Sequence, residues 1–267
     1  MGLTLRSGAG ASVSTEMGIE VGRALAAEHR RVAVISDGMR STHMMEEALI
    51  SGLLAQGADV LDCGSAAEPA AAYAARLADC AAYVSESPEY GCSSGYRLFG
   101  RDGKPFSEEQ VRRLDTVRAG LEYPGSGSVG KRIPYGNAVS DYNSAVSSRI
   151  GKIEGAPVLL DCGCGIASVS APQILESAGI EVISVNGHRS RDFVPKDPSA
   201  ETQEFGWLHD FISNKEGCIG IGLDRLGSRA TVISEDGSVI DPQTAAALPS
   251  DRRNPEKSSL RSTPHPW

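Results

Sequence analysis

A chain of 267 residues with 40% hydrophobic content is long enough for two cored domains or one large one, which sets aside the small stapled and the disordered classes. Its formal charge of −8, with no dense Lys/Arg stripe before the final residues, argues against nucleic acid as a main partner. No run approaches the ~20 apolar residues of a membrane span, so no membrane partner is expected.

The N-terminus lacks a basic start followed by an apolar run. Six cysteines (Cys63, Cys80, Cys92, Cys162, Cys164 and Cys218) include no Cys-x-x-Cys pair and sit mostly in apolar runs. They read as reduced, buried, small hydrophobes, and a cytoplasmic location is expected.

In chain order, a Gly-rich opening, Gly2–Gly10, carries one arginine, Arg6. The spacing of Met17, Val21, Ala24 and Leu25 predicts a helix over Thr15–Glu28, with Ser14 or Thr15 as its cap. A β-branched strand, Val32–Ser36, runs into Asp37-Gly38-Met39-Arg40, which reads locally as an Asp–Arg ion pair across a turn. A helix Thr42–Gln56, a strand Asp59–Cys63, a helix Pro69–Ala78 and a strand Cys80–Val84 follow. This β-α-β-α-β order predicts a largely parallel sheet covered on both faces. In such sheets ligands gather at the carboxyl ends of the strands, where Asp37, Ser85 and Ser87 emerge.

In the stretch Ser85–Gly100, residues 85–95 form a loop with four serines, a proline and two glycines that returns to an apolar run, Tyr96–Phe99. It offers hydroxyl nucleophiles at a strand end and a backbone able to bend around an anion. Ser107-x-x-Gln110 is a capping box for a helix to about Val117. Gly120–Pro134 is rich in breakers and without periodicity, as a linker is. Beyond it come a helix Val139–Arg149, a strand Pro157–Asp161 and a glycine turn, Cys162-Gly163-Cys164-Gly165. Such a turn can cradle a phosphate at a helix N-terminus, although G-x-G-x-x-G spacing is lacking and a dinucleotide site is not expected. A helix Ala171–Ser177, a strand Ile180–Val185, a helix near Gln203–Ser213 and a strand Cys218–Leu223 lead to Asp224-Arg225. Thr231–Ser234 and a turn at Glu235-Asp236-Gly237 close the second unit, and Pro249–Trp267 reads as a disordered tail.

The serine loop resembles the phosphoserine loop of the α-D-phosphohexomutases (phosphomannomutase, phosphoglucomutase and phosphoglucosamine mutase), whose pattern is T-A-S-H-N-P-x-x-x-N-G-x-K-L-F. Ser85-Glu86-Ser87 stands at T-A-S, Ser94-Gly95 at N-G, Arg97 at the lysine and Leu98-Phe99 at L-F. Ser87 takes the place of the phosphorylated serine. A shifted match of Pro88-Glu89-Tyr90 to the family's P-E-Y makes Ser85 the alternative nucleophile. Arg6 stands where the family's opening F-G-T-D-G-I-R-G has its arginine, and Asp37 with Arg40 resembles G-x-D-x-R. Asp161 through Gly165 is similar to V-V-D-x-x-x-G-x-G, and Phe193–Pro198 to F-x-P-x-x-P. The metal motif D-G-D-x-D-R falls on residues 220–225, so that Gly220 and Gly222 replace two aspartates and leave Asp224 with Arg225.

The resemblance implies an α/β fold of two consecutive three-layer α/β/α domains: residues 1–122 with the phosphoserine loop, a linker over 123–135, residues 136–245 with a degenerate metal loop, and a tail over 246–267. It implies phosphoryl transfer on a hexose phosphate through a phosphoserine, with Ser87 as donor and nucleophile. Arg97 replaces the proton-shuttling lysine, Arg6 and Arg225 steady the phosphoryl group, and Arg40 belongs to the phosphate-binding set. Mg²⁺, the family's cofactor, is not expected to bind tightly where one carboxylate remains of three. Arginine hardly deprotonates, so Arg97 holds charge but moves protons poorly. Intact members continue for two more domains, so the chain is expected to be truncated and inactive alone. The alternatives are half of a split enzyme completed by a second chain, and a non-catalytic subunit that binds a phosphosugar or a protein partner.

Overall fold

The structure, a computed structural model, describes residues 4–5, 14–86, 94–122, 128–190, 206–214 and 217–240. The first sheet has the order β1-β5-β4-β2-β3-β6. Its strands are β1 (Thr4–Leu5), β2 (Arg31–Ser36), β3 (Asp59–Ser65), β4 (Cys80–Glu86), β5 (Ser94–Gly100) and β6 (Arg132–Pro134). β4, β2, β3 and β6 run parallel, whereas β5 pairs antiparallel with β4, and β1 with β5. Alternation along β2 sends Val32 and Val34 to one face and Ala33 and Ile35 to the other, and all four are buried.

Helices α1 (Thr15–Glu28), α2 (Arg40–Ala55) and α4 (Glu108–Gly120) cover the first face with Val21, Leu25, Leu49, Leu53 and Leu114. Helices α3 (Glu68–Ala74) and α5 (Ala138–Ile150) cover the second, where Ala70, Ala71 and Ala138 meet Ile35, Tyr83 and Phe99. Local chemistry sets the ends: Ser14 accepts from the Met17 N–H, and Ser107 with Gln110 forms the reciprocal capping box. α1 and α2 touch backbone to backbone, because a Cβ at Gly22 would collide with the Leu49 carbonyl and one at Gly52 with the Ile19 carbonyl.

The second sheet, β11-β10-β9-β7-β8, comprises β7 (Val158–Asp161), β8 (Val182–Val185), β9 (Ile219–Leu223), β10 (Ala230–Ile233) and β11 (Val239–Ile240). Its β8-β7-β9 part is parallel, and β10 and β11 add antiparallel strands. Helix α6 (Ala171–Ser177) packs through Leu175 on the face of Val158, Leu160 and Ile221. Helix α7 (Gly206–Ser213) packs through Leu208 and Ile212 on Leu159 and Ile233. Two three-layer α/β/α units result, in the order the strand and helix spacing predicts. Cys63, Cys80, Cys162, Cys164 and Cys218 are buried thiols outside any disulfide, and burial pushes the Cys162 thiol up to about 11.

One segment differs from its reading as a linker. Residues 132–134 form β6, held by the Val60 N–H on the Lys131 carbonyl and the Tyr135 N–H on the Asp62 carbonyl. The open edge of β3 takes up the chain that leaves α4. Residues 193–198 and the tail lie outside the described residues. Among the described residues no helix is long and apolar enough to cross a membrane.

The crossing of α1 and α2 has a direct test. Gly52→Ala forces a methyl group against the Ile19 carbonyl and is expected to cost about 1–3 kcal/mol, seen as a lower urea midpoint with unchanged slope. An unaltered midpoint would contradict the contact.

Candidate functional site

β2 ends at Ser36, and the next residue is a buried carboxylate. Asp37 Oδ1 accepts from the Met39 N–H at 3.0 Å and the Thr42 hydroxyl at 2.7 Å, and Oδ2 accepts from the Glu86 N–H at 2.9 Å. One side chain thus ties the start of α2 to the end of β4. Arg40 is the exposed first residue of α2, so the Asp37–Arg40 ion pair gives way to backbone and hydroxyl donors. Burial, the largest influence, raises the Asp37 carboxyl above its ordinary range despite these bonds.

β4 carries the chain to the serine loop. Ser85, opposite Gly95 in the ladder, is buried at 8% exposure inside the strand. Glu86 is buried beside it and accepts from the Ser41 hydroxyl. Arg97 on β5 pairs with Glu68 at the start of α3. Ser87 and Arg6 lie outside the described residues.

The second unit brings its own strand end to this place. Asp161, at the end of β7 and fully buried, accepts from the Gly163 N–H at 2.9 Å and the Asn186 amide at 2.8 Å. Asp224, just past β9, accepts from the Ser228 N–H at 2.8 Å and the Arg229 N–H at 3.2 Å on Oδ1. Its Oδ2 takes the Ser228 hydroxyl at 2.9 Å, with Arg229 Nε at 3.5 Å. Arg225 is buried and crosses to the first unit, with Nη2 3.2 Å from Met39 Sδ and Nη1 4.0 Å from Glu86 Oε2. The glycine turn 162–165 is no open cradle, because Gly165 lies against the Arg225 backbone and the Arg225 carbonyl accepts from the Ile166 N–H.

Asp224, Arg225, Glu86 and the Asp37 turn therefore converge, with Ser85 one residue from Glu86, while Arg97 lies opposite Tyr83, three strand positions back. Gly220 and Gly222 do not join them. Both are inside β9, and a Cβ at Gly220 would point at Leu208, Ile212 and Ile233 under α7. The two positions that the resemblance assigns to replaced carboxylates thus lie within the strand and not in the loop that follows it. Asp224 also does not fit Mg²⁺, since three donors of its own loop already bond its two oxygens, which leaves little of the carboxylate to a cation that needs several open oxygen ligands. Among the described residues no three His, Cys, Asp or Glu side chains cluster to hold a metal.

Sequence reasoning missed Glu68, Glu86 and Leu226 as members of this region. Leu226 was legible in principle, as an apolar residue inside an otherwise polar turn. Glu68 and Glu86 gave no signal, because what marks them is burial beside arginines distant in sequence.

Residues 7–119 match the family defined as phosphoglucomutase/phosphomannomutase, alpha/beta/alpha domain I. A phosphopentomutase of Thermococcus kodakarensis is 30% identical over 239 residues, which is 88% of this chain and 53% of that protein. A phosphoglucosamine mutase of Paracoccus denitrificans is 31% identical over 235 residues, 83% of this chain and 50% of that protein. A solved phosphoglucomutase/phosphomannomutase family protein of Burkholderia thailandensis superposes with a TM-score of 0.80 at 21% identity, over 92% of this chain and 57% of that one. The chain spans about half the length of the curated relatives it matches.

Asp37→Asn puts an amide donor against the three donors that Asp37 accepts, and is expected to lower stability by about 1–3 kcal/mol at neutral pH, read by urea unfolding. The sign with pH follows from the raised carboxyl. The folded chain binds this proton more readily than the unfolded one, so Asp37 itself favours folding more as pH falls through its folded pKa. The deficit of the variant should therefore grow, not shrink, over that fall; a deficit that vanishes on acidification would contradict the assignment.

Proposed function

The chain belongs to the phosphohexomutase family, over the part of its relatives that it spans, and from that premise we propose that it is a family member that does not turn over hexose phosphate alone. One observation carries the reading: the strand-end loop where a metal would face the serine loop is closed on itself by Asp224. The motif D-G-D-x-D-R is better registered on residues 224–229, Asp-Arg-Leu-Gly-Ser-Arg, than on 220–225. In that frame Leu226 and Ser228 take the second and third carboxylate positions and Arg229 the arginine. Either register leaves one carboxylate.

Ser87 is the proposed phosphoserine. Support comes from Ser85, whose hydroxyl is buried in β4 and poorly offered to a sugar phosphate. Arg225 is proposed to provide the fixed positive charge near that loop, through its approach to Glu86. Arg97 is engaged by Glu68, which holds it as a charge and gives it no path to act as a proton shuttle. The two units, residues 1–122 and 136–245 with the connection between them, would bind at most part of a hexose phosphate. The rest would have to come from further domains, in the same protein or in a second chain.

Phosphoryl transfer depends on positioned charge, and loss of one such donor commonly costs about 10²–10³ in rate. Purified residues 1–267 should show no mutase turnover in a coupled assay on glucose, mannose or glucosamine phosphates, with or without bisphosphate activator. Robust turnover that is abolished by Ser87→Ala would refute the reading; turnover abolished by Ser85→Ala instead would also move the nucleophile.

A further inference from the structure

The loop 224–229 is satisfied inwardly by Asp224, but its outer side is not turned to solvent. Leu226 is only 4% exposed and belongs to the apolar cluster of the first unit, with Ala66, Ala70, Ala71 and Tyr83. Its carbonyl accepts from the Glu68 N–H at 3.0 Å. Glu68 opens α3, and the residue before it, Ala67, has no side chain able to cap. The second unit therefore supplies the acceptor that the first unit's helix lacks, where a free helix start leaves such N–H groups unpaired.

Gly227 continues the fit. Its φ of 69° is in the left-handed region, and a Cβ there would lie 2.9 Å from Ala167 Cβ and 3.2 Å from Ala67 Cβ, one in each unit. Arg225, on the other side of Leu226, places its buried guanidinium against Met39 and near Glu86. Residues 224–227 thus close their own turn, set a guanidinium 4.0 Å from a buried carboxylate of the other unit, fill its apolar layer and cap its helix.

We propose that the Asp224–Arg229 loop is a latch that fuses the two units into one cooperative body, with Leu226 as its plug and Arg225 as its internal cation. The inference goes beyond catalysis, since it holds whether or not the chain turns over a sugar. A metal loop has to remain open to ligand and solvent, whereas this one spends the same position on contact between domains.

The test is the Arg225→Ala/Leu226→Ala double variant of the full chain. The parent should unfold in one transition, and the variant in two, with proteolytic cleavage in the connection between the units at least about tenfold faster. One transition in the variant, merely shifted, with unchanged cleavage of the connection, would overturn the latch. If the variant does not fold, hydrogen exchange of the parent decides. The Glu68 amide should exchange as slowly as the amides of β2 and β4; exchange at the rate of the uncapped first turn of α2 would overturn it equally.

Discussion

A buried carboxylate that folds its own loop back onto the strand end is the constraint on which the central region depends. Asp37 does this after β2, Asp161 at the end of β7 and Asp224 after β9. Each takes up backbone N–H groups that a tight turn would otherwise leave without partners in a dry place. Asp37 pays for its desolvation with a raised carboxyl, and in return fixes α2 against β4. With those ends fixed, the carboxyl edges of both parallel sheets present rigid turns to each other.

Much of the fold was legible because periodicity is a local property. The alternation in Val32–Ile35, the helical spacing of Val21, Leu25, Leu49 and Leu53, and the Ser107-x-x-Gln110 box each specify their element without distant help. The edge strand Arg132–Pro134 was not legible, since its three residues carry no pattern and become a strand only because the edge of β3 is unpaired. The site was legible in its frame and not in its detail. Asp37, Asp224 and Arg225 were read as residues that follow strands, and the structure sets them there, whereas the register proposed above for the metal motif differs by four residues from the one read in the sequence. Sequence alone does not say where β9 stops, and only the apolar surroundings of Gly220 show that its side of the strand faces a core.

Family membership and the chemistry of this particular loop point in different directions, and the proposed function follows the chemistry. A phosphohexomutase fold places a loop at this edge, but the fold does not fix what the loop does. In the register proposed for residues 224–229, a leucine committed to an apolar layer and a serine that bonds to Asp224 stand at two carboxylate positions, and Arg225 adds its own positive charge beside Asp224. A cation entering beside Arg225 would meet repulsion and an aspartate whose oxygens are already occupied.

The most direct measurement is a calorimetric titration of the purified chain with Mg²⁺, alongside Asp224→Asn. The account predicts no saturable heat at millimolar or lower Mg²⁺ in either protein. One stoichiometric site in the parent, lost in Asp224→Asn, would contradict it.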